Sequence, residues 1–528
     1  MKNKTLWLLV FLTFLLFFLG IGQLPLYILD EAKNAECARE MWEKSNLIIP
    51  TFNGELRTDK PPLHYFFMML AHSIFGVSAF AARFFSALMG VLTLGATFCY
   101  TRKNLGQKTA IWTILTLLSS LHFLFQFHLA VPDPYLIACI TIAIFTFREG
   151  LEDSSRKQLF FGYTATALGV LAKGPVALSL IGLVLLLYLI FTKQLNEKGL
   201  KKLRIPLGAT WFLVLVLPWY IAVGRATGGA WLEGFFFTHN LNRFTDAMEN
   251  HGGGFWMTWI YVLVGMLPFV LFLPATIRRV VFPKIKTASK SQDARFLLLT
   301  CLAVLVIIGF FTISTTKLPN YTVPAYPFLA VLLGYYFSQK THFSWLPLLL
   351  WTLIGIAMPV GLFFGVKSYE LLNGFEWLAW LFVPLALGGI SSLVFHFWKQ
   401  VDWSLRSILI GNIVSAILLF SIGLPKVFQQ NPVAQSMYLL ENQEELMIYK
   451  NFNPAYLFNL ERTIPKAKVP LTLQQQFNKQ PGTIILTQER YLKDLRFFPY
   501  PLDTIFIQQD LFEQQRSVLL RHKKVSSY

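Results

Sequence analysis

The sequence predicts an all-α polytopic membrane protein of about thirteen transmembrane helices, with a small extracytoplasmic α/β domain at its C-terminal end. Three observations carry that prediction. The 528 residues are 55% hydrophobic and only 14% charged, with a mean hydropathy of +0.51, which leaves too few charges to solvate a water-soluble globule of this size. Apolar runs such as Val176 to Phe191 and Leu346 to Gly365 approach or reach the roughly 20 residues that a helix needs to cross a bilayer. Beyond residue 424 the composition turns polar and Gln-rich, and Gln429, Gln430, Gln474 to Gln476, Gln508 and Gln509 interleave with short β-type runs at Thr483 to Leu486 and Thr504 to Ile507. The chain therefore divides into a membrane domain over 1–424 and an α/β domain over 425–528, about 100 residues and a usual size for one domain.

The first element joins Lys2 and Lys4 to an apolar run, as a signal peptide would, but no small-residue cleavage site follows, so it reads as a retained helix over 6–26. Further apolar runs place helices near 62–100 (a short entry segment, then a span), 109–129, 135–149, 159–172, 175–192, 205–223, 255–276, 296–314, 321–338, 344–366, 377–398 and 405–424. An odd number of crossings puts the two ends on opposite sides. With the N-terminus cytoplasmic, Arg102, Lys103, the run Lys198, Lys201, Lys202 and Arg204, and Arg278, Arg279, Lys284 and Lys286 all fall in inner loops, as the positive-inside rule requires. The net charge of +18 thus reports topology and not a nucleic-acid partner. Cys37, Cys99, Cys139 and Cys301 are scattered without a CxxC, which argues against a disulfide framework or a zinc knuckle.

The first outer loop, Gln23 to Pro61, is too long for a turn and predicts one or two helices lying at the interface. Ala32, Ala35, Ala38 and Met41 recur every third residue, and Asp30 stands ahead of them where an N-cap would. The loop ends in Asp59-Lys60-Pro61-Pro62, whose prolines hold an acid and a base at one depth near the bilayer surface. Asp133 between Pro132 and Pro134, Lys173 before Gly174-Pro175, and Lys317 with Tyr321 repeat the theme in three short turns. Each alone has an ordinary reading as a cap, a solvated ion pair or a snorkelling cation. Together with Asp30, Asp59, Lys60 and His251, all come out on the outer face, and that coincidence argues for one site.

Cations there would hold a phosphate and carboxylates would act on a hydroxyl or amine, in a chain without a P-loop, G-x-G-x-x-G or H-E-x-x-H. A lipid that already carries an activated sugar phosphate suits such a site. Lys60, helped by Lys33 or Lys173, would stabilise the departing phosphate, and Asp30 or Asp133 would orient or deprotonate the acceptor.

Asp30-Glu31 ahead of Ala35-Glu36-Cys37-Ala38-Arg39-Glu40-Met41, Asn53-Gly54, Asp59 to Pro62 and Phe75 to Ser78 resemble the bacterial aminoarabinose transferase and protein-mannosyltransferase-like glycosyltransferases. Ala130 to Pro134, Leu171 to Pro175, Asn242 to Phe244 with His251, and Lys317 with Tyr321, Pro324 and Pro327 are similar to the same family, in its order, over residues 1 to about 340. The resemblance implies a GT-C fold in the bacterial inner membrane, a periplasmic C-terminal domain, an undecaprenyl-phosphate-linked sugar donor, and lipid A or another glycolipid as acceptor. It implies that Asp30 and Asp133 are the essential carboxylates and that Lys60, Lys33, Lys173 and Lys317 face the donor phosphate. Asp59, Glu31, His251, Arg243 and Tyr321 would line the cavity. In the aminoarabinose branch it also implies a divalent metal between Asp59 and His251, although two ligands do not make a metal site by themselves. Lys33 stands where the family commonly has Arg, Arg57-Thr58 replaces an aromatic pair, and Asp59 stands for a Glu. The competing readings are a protein O-mannosyltransferase, a polyprenyl-lipid transporter with inverted repeats, and a membrane anchor for the C-terminal domain.

Overall fold

A computed structural model of the chain describes residues 2–241, 253–286, 291–339, 343–496 and 498–523. It begins with α1 (Lys2–Phe18), α2 (Leu29–Glu43), a hairpin of β1 (Thr51–Phe52) and β2 (Glu55–Leu56), α3 (Leu63–Phe75) and α4 (Ala79–Leu105). The bundle continues with α5 (Gln107–Leu118), α6 (Leu121–Gln126), α7 (Asp133–Glu152), α8 (Arg156–Lys173), α9 (Pro175–Phe191), α10 (Glu197–Leu203) and α11 (Ile205–Ala226). After it come α12 (Trp256–Gly265), α13 (Gln292–Ile313), α14 (Tyr326–Gln339), α15 (Leu346–Ser368), α16 (Val383–Phe397) and α17 (Val401–Leu418).

Among the described residues seven helices are long and apolar enough to cross a membrane, and an eighth crossing arises if the pair Trp256–Gly265 and Phe269–Ile285, bent by 111°, is taken as one. The chain is thus a multi-pass, helical membrane protein, with shorter apolar helices over Lys4–Phe18, Leu63–Phe75 and Pro175–Phe191 beside these spans. Two expected single spans are broken. The run 109–129 stops at Ser119, because Ser120 caps α6 through its hydroxyl (Phe123 N to Oγ, 3.1 Å) and donates to Gly265 O at 2.6 Å. The run 255–276 breaks ahead of Pro268, whose ring removes a helix donor.

The expectation of an amphipathic helix lying at the interface, capped by Asp30, is corrected. The N-cap of α2 is Ile28, without a side-chain cap, and Asp30 is an exposed residue of the first turn. The helix is buried almost all round: Glu31, Ala32 and all of Asn34 to Met41 are shielded. Polar residues survive there because they are paired. Glu31, 0% exposed, takes a bidentate grip from Arg83 of α4 (Nε and Nη2, both 2.7 Å) and accepts from Ala130 N at 2.8 Å. Arg83 also donates to Ile21 O at 2.8 Å. Glu31 therefore ties α2, α4 and the turn ahead of α7 together and does not line a cavity as expected.

The C-terminal part contains β3 (Leu446–Tyr449), α18 (Ala455–Leu460), β4 (Lys466–Ala467), α19 (Pro470–Lys479), β5 (Ile484–Gln488), β6 (Leu502–Gln509) and β7 (Arg516–His522). These strands form a five-stranded sheet in the order β4-β3-β5-β7-β6, with β3 parallel to β4 and β5, and β7 antiparallel to β5 and β6. Every residue of β3 and β5 is buried, as expected for strands covered on both faces. Alternation assigns the faces: Leu446, Ile448, Ile484 and Leu486 join Leu24, Tyr27 and Ala32 in one core, while Met447, Tyr449 and Ile485 pack against Leu473 and Phe477 of α19.

At that junction Asp510 is only 2% exposed and accepts from Ser517 Oγ at 2.8 Å. Burial pushes its carboxyl from 3.8 up to about 6. Because the folded-state value lies above the unfolded one, the stabilisation is complete below about pH 4 and is lost as pH rises through about 6. Thermal unfolding of the solubilised chain at pH 5 and pH 8 checks this: Asp510→Asn is expected to gain up to about 3 kcal/mol over wild type at the higher pH and about half as much at the lower.

Candidate active site

Asp133 opens α7 between two prolines, which pin its backbone at the helix N-terminus. Its side chain is 6% exposed, and its Oδ1 accepts from Lys173 Nζ at 2.6 Å and from Asn320 Nδ2 at 3.1 Å. Lys173 is the last residue of α8, released by Gly174 at φ 78°, and its ammonium lies over the Tyr321 ring, 5.0 Å from the centroid. Tyr321 in turn leans on Phe311 at 4.7 Å. Three of the expected site residues, Asp133, Lys173 and Tyr321, are thus one contiguous cluster, completed by Asn320.

A second cluster forms where the first loop meets α3. Asp59 is half-buried and pairs with Arg57 Nη2 at 3.3 Å, and Lys60 is buried, 7% exposed. Arg57 donates from Nη2 to Asn34 Oδ1 at 3.0 Å, while its Nε and Nη1 are buried without a hydrogen-bond partner among the described residues. His64, the second residue of α3 and four positions beyond Lys60, is fully buried. Lys33 stands one helical turn from Asp30 on α2 and is half-buried. The two clusters meet through Ala130: its N–H donates to Glu31 and its carbonyl accepts from Asn34 Nδ2 at 3.4 Å, three residues ahead of Asp133.

Lys317 takes another role than expected. It is buried, and its ammonium donates to Thr312 O at 2.9 Å and Ser314 O at 2.7 Å, so it satisfies carbonyls at the C-terminal end of α13 and complements the helix dipole there. His251 and Arg243 lie outside the described residues. Among the described residues no three His, Cys, Asp or Glu side chains gather as a metal site would need, and Asp59 is turned to Arg57. Sequence reasoning missed Asn34, Arg57 and Asn320. Asn34 lies one turn from Asp30 on α2, and Arg57 and Asn320 lie next to or within the motifs already singled out, so proximity in sequence was the available signal.

An apolar groove of about 570 Å³ runs between α8, α9 and α11, walled by Val170, Pro175, Leu178, Val216, Tyr220 and Phe236 and carrying Arg225. Val170 and Pro175 flank Lys173 in sequence, and Gly234, between the groove residues Leu232 and Phe236, presses so closely on Thr58 that a Cβ there would lie 2.6 Å from its Oγ1.

Residues 59–221 match the protein family described as dolichyl-phosphate-mannose-protein mannosyltransferase. An uncharacterized protein of Aquifex aeolicus is 30% identical over 370 residues, covering 70% of this chain and 80% of that protein. The undecaprenyl phosphate-alpha-4-amino-4-deoxy-L-arabinose arabinosyl transferase of Edwardsiella ictaluri is 29% identical over 349 residues, 65% of this chain and 61% of that enzyme. The whole course of the chain follows ArnT from Cupriavidus metallidurans, crystallised with undecaprenyl phosphate, at a TM-score of 0.80 and 20% identity over 98% of both chains. The chain belongs to the aminoarabinose-transferase and protein-mannosyltransferase-like family. It is a glycosyltransferase of GT-C fold. The match to the arabinosyl transferase spans about three fifths of that enzyme's length. An oligosaccharyltransferase of Archaeoglobus fulgidus shares the fold more distantly, at a TM-score of 0.53 and 12% identity over 93% of this chain and 70% of that one.

Proposed function

We propose that this glycosyltransferase moves a sugar from undecaprenyl phosphate to an acceptor at the outer face of the bacterial inner membrane, and that the acceptor is lipid A. The observation that carries the reading is the apolar groove whose lining residues Val170 and Pro175 flank Lys173 in sequence, and whose lining residues Leu232 and Phe236 stand on either side of Gly234, which packs on Thr58 next to Asp59 and Lys60. A polyprenyl chain fits such a groove, and its phosphate would then reach the cations. In the transfer the bond between the sugar C1 and the phosphate oxygen breaks, its electron pair leaves on the phosphate, and the acceptor oxygen bonds C1. Lys60 and Lys33 stabilise the anion that grows in the transition state. Lys173 holds the Asp133 carboxylate in one orientation toward the acceptor. Asp30, exposed on the rim, takes the proton when the acceptor is a hydroxyl; a lipid A phosphate needs no base.

The topology proposed with this function has thirteen crossings, the N-terminus in the cytoplasm and residues 425–528 in the periplasm. The loop cations support that orientation. The family match over 59–221, whose description names a protein mannosyltransferase, favours a second acceptor class, Ser or Thr of an envelope protein. Mass spectrometry of lipid A and of envelope glycoproteins, from cells with the wild-type chain and cells with Lys60→Ala, separates the two. Loss of one amino sugar from lipid A in the mutant is the expected result. Hexose lost from proteins with lipid A unchanged would move the acceptor to protein.

A further inference from the structure

The C-terminal sheet is joined to the membrane bundle at the first outer loop. Asn53, the turn residue of the β1-β2 hairpin at φ 52°, exchanges two hydrogen bonds with one backbone unit: its Nδ2 donates to Ile464 O at 2.9 Å, and Ile464 N donates to its Oδ1 at 2.8 Å. Three residues earlier, Glu461 O accepts from Arg39 Nη1 at 2.9 Å, and Arg39 is itself locked onto Glu36 through Nε and Nη2 at 2.8 and 2.7 Å. Phe458 packs among Ala35, Ala38 and Met41, and Asn459 Nδ2 donates to Leu26 O at 3.3 Å. Residues 458–464 therefore hold both α2 and the hairpin.

Those two elements carry the charged residues of the second cluster. Asp30 and Lys33 ride on α2, and the hairpin leads straight into Arg57, Asp59 and Lys60. They are also tied to each other, since Glu40 Oε2 accepts from Thr51 Oγ1 at 2.6 Å and from Gly54 N at 3.1 Å. The hairpin is closed onto its exit by Arg57 N donating to Pro50 O at 2.9 Å. The segment 44–62 between α2 and α3 has enough backbone freedom to vary the gap between Asp30 and Lys60 unless something outside it sets that gap. The side-chain bracket of Asn53 on Ile464 is such a fixture, because it is polar, directional and made at both ends of one amide.

We infer that segment 458–464 of the C-terminal sheet domain is a brace for the active site, and that Asn53 is a positioning residue that sets the spacing between the Asp30/Lys33 helix and the Asp59/Lys60 segment. The inference rests on the reading of those charges as the transfer site. A contact made only for docking would contribute stability in proportion to its bonds; a brace acts on turnover beyond its share of stability.

Two full-length variants separate these roles. Asn53→Gly keeps the left-handed turn and removes both bonds to Ile464. Tyr27→Phe removes a different bond between the first outer loop and the sheet domain, where Leu511 N donates to Tyr27 Oη at 2.9 Å. The expected result is that Asn53→Gly lowers kcat for transfer from a polyprenyl-phosphate sugar at least tenfold with the donor KM within about twofold, whereas Tyr27→Phe lowers the unfolding temperature and leaves kcat unchanged. Spin labels at Lys33→Cys and Glu55→Cys, in a Cys99→Ser background, give a readout that needs no chemistry. Their distance distribution is expected to be narrow in the parent and in Tyr27→Phe and broad in Asn53→Gly. A narrow distribution in Asn53→Gly, or activity losses in both variants that merely track their unfolding temperatures, would overturn the brace. No transfer by the unlabelled wild-type chain, with the label result as expected, would overturn the transfer reading and leave the brace standing.

Discussion

Asp133→Asn is expected to lower turnover about a thousandfold, within the range seen when a positioned carboxylate loses its charge, with little loss of stability. The asymmetry comes from its partner. Lys173 sits at a helix end with a flexible four-carbon stem, so an ammonium left without a carboxylate can swing toward the headgroups and stay solvated. Asp133 has no such freedom, because its backbone is pinned between Pro132 and Pro134 and its short side chain is 6% exposed. Lys173→Met should therefore be the destabilising change, by about 3 kcal/mol, since among the described residues it leaves a buried carboxylate with Asn320 as its hydrogen-bond donor. The double variant Asp133→Asn, Lys173→Met is expected to regain that stability while remaining inactive. Thermal unfolding and transfer rates of the purified single and double variants form the cycle that checks this. Full turnover in Asp133→Asn would remove it from the catalytic assignment.

Lys60→Ala carries the second large effect. The donor phosphate gains negative charge as the sugar leaves, and a buried ammonium is worth more against that charge than an exposed one, because little water screens it. Lys60 is 7% exposed, so its removal should lower kcat/KM for the lipid-linked donor about 100- to 1,000-fold. Lys33 is only half-buried and should cost about tenfold or less when replaced by Ala. Lys60→Arg keeps the charge but changes its shape and reach, and is expected to restore part of the rate. Steady-state kinetics with a sugar-loaded donor, together with binding of undecaprenyl phosphate to each variant, measure both effects. Equal kcat/KM for Lys60→Ala and wild type would take the phosphate contact away from this residue.

Much of this arrangement was legible in the residues themselves. Prolines and glycines mark the outer turns at Pro132-Asp133-Pro134 and Gly174-Pro175, and an ionisable residue locked into such a turn has few places to go. That is why Asp133, Lys173 and Tyr321 could be named as a group and then meet in space. The same reasoning failed where a side chain's role depends on what lies opposite. Glu31 looked like its neighbour Asp30, but one position further round the helix it faces Arg83 and is sealed. Lys317 looked like Lys173, but it turns back onto the carbonyls of its own helix end.

Composition and apolar run length, being sums over neighbours in the chain, sufficed by themselves for the membrane-protein class, the helical bundle and the polar C-terminal part with its β-runs near 484 and 504. Hydrocarbon tolerates only apolar helices, and that constraint acts on every residue of a span in turn. What the tertiary structure alone decided was which partner each buried charge takes, and that α2 is enclosed between α3 and the C-terminal sheet instead of floating at the interface. Those outcomes turn on contacts between residues separated by 52 positions, as in Arg83 with Glu31, or by 411, as in Asn53 with Ile464. Burial and pairing depend on distance in space, and no local pattern encodes a partner so far along the chain.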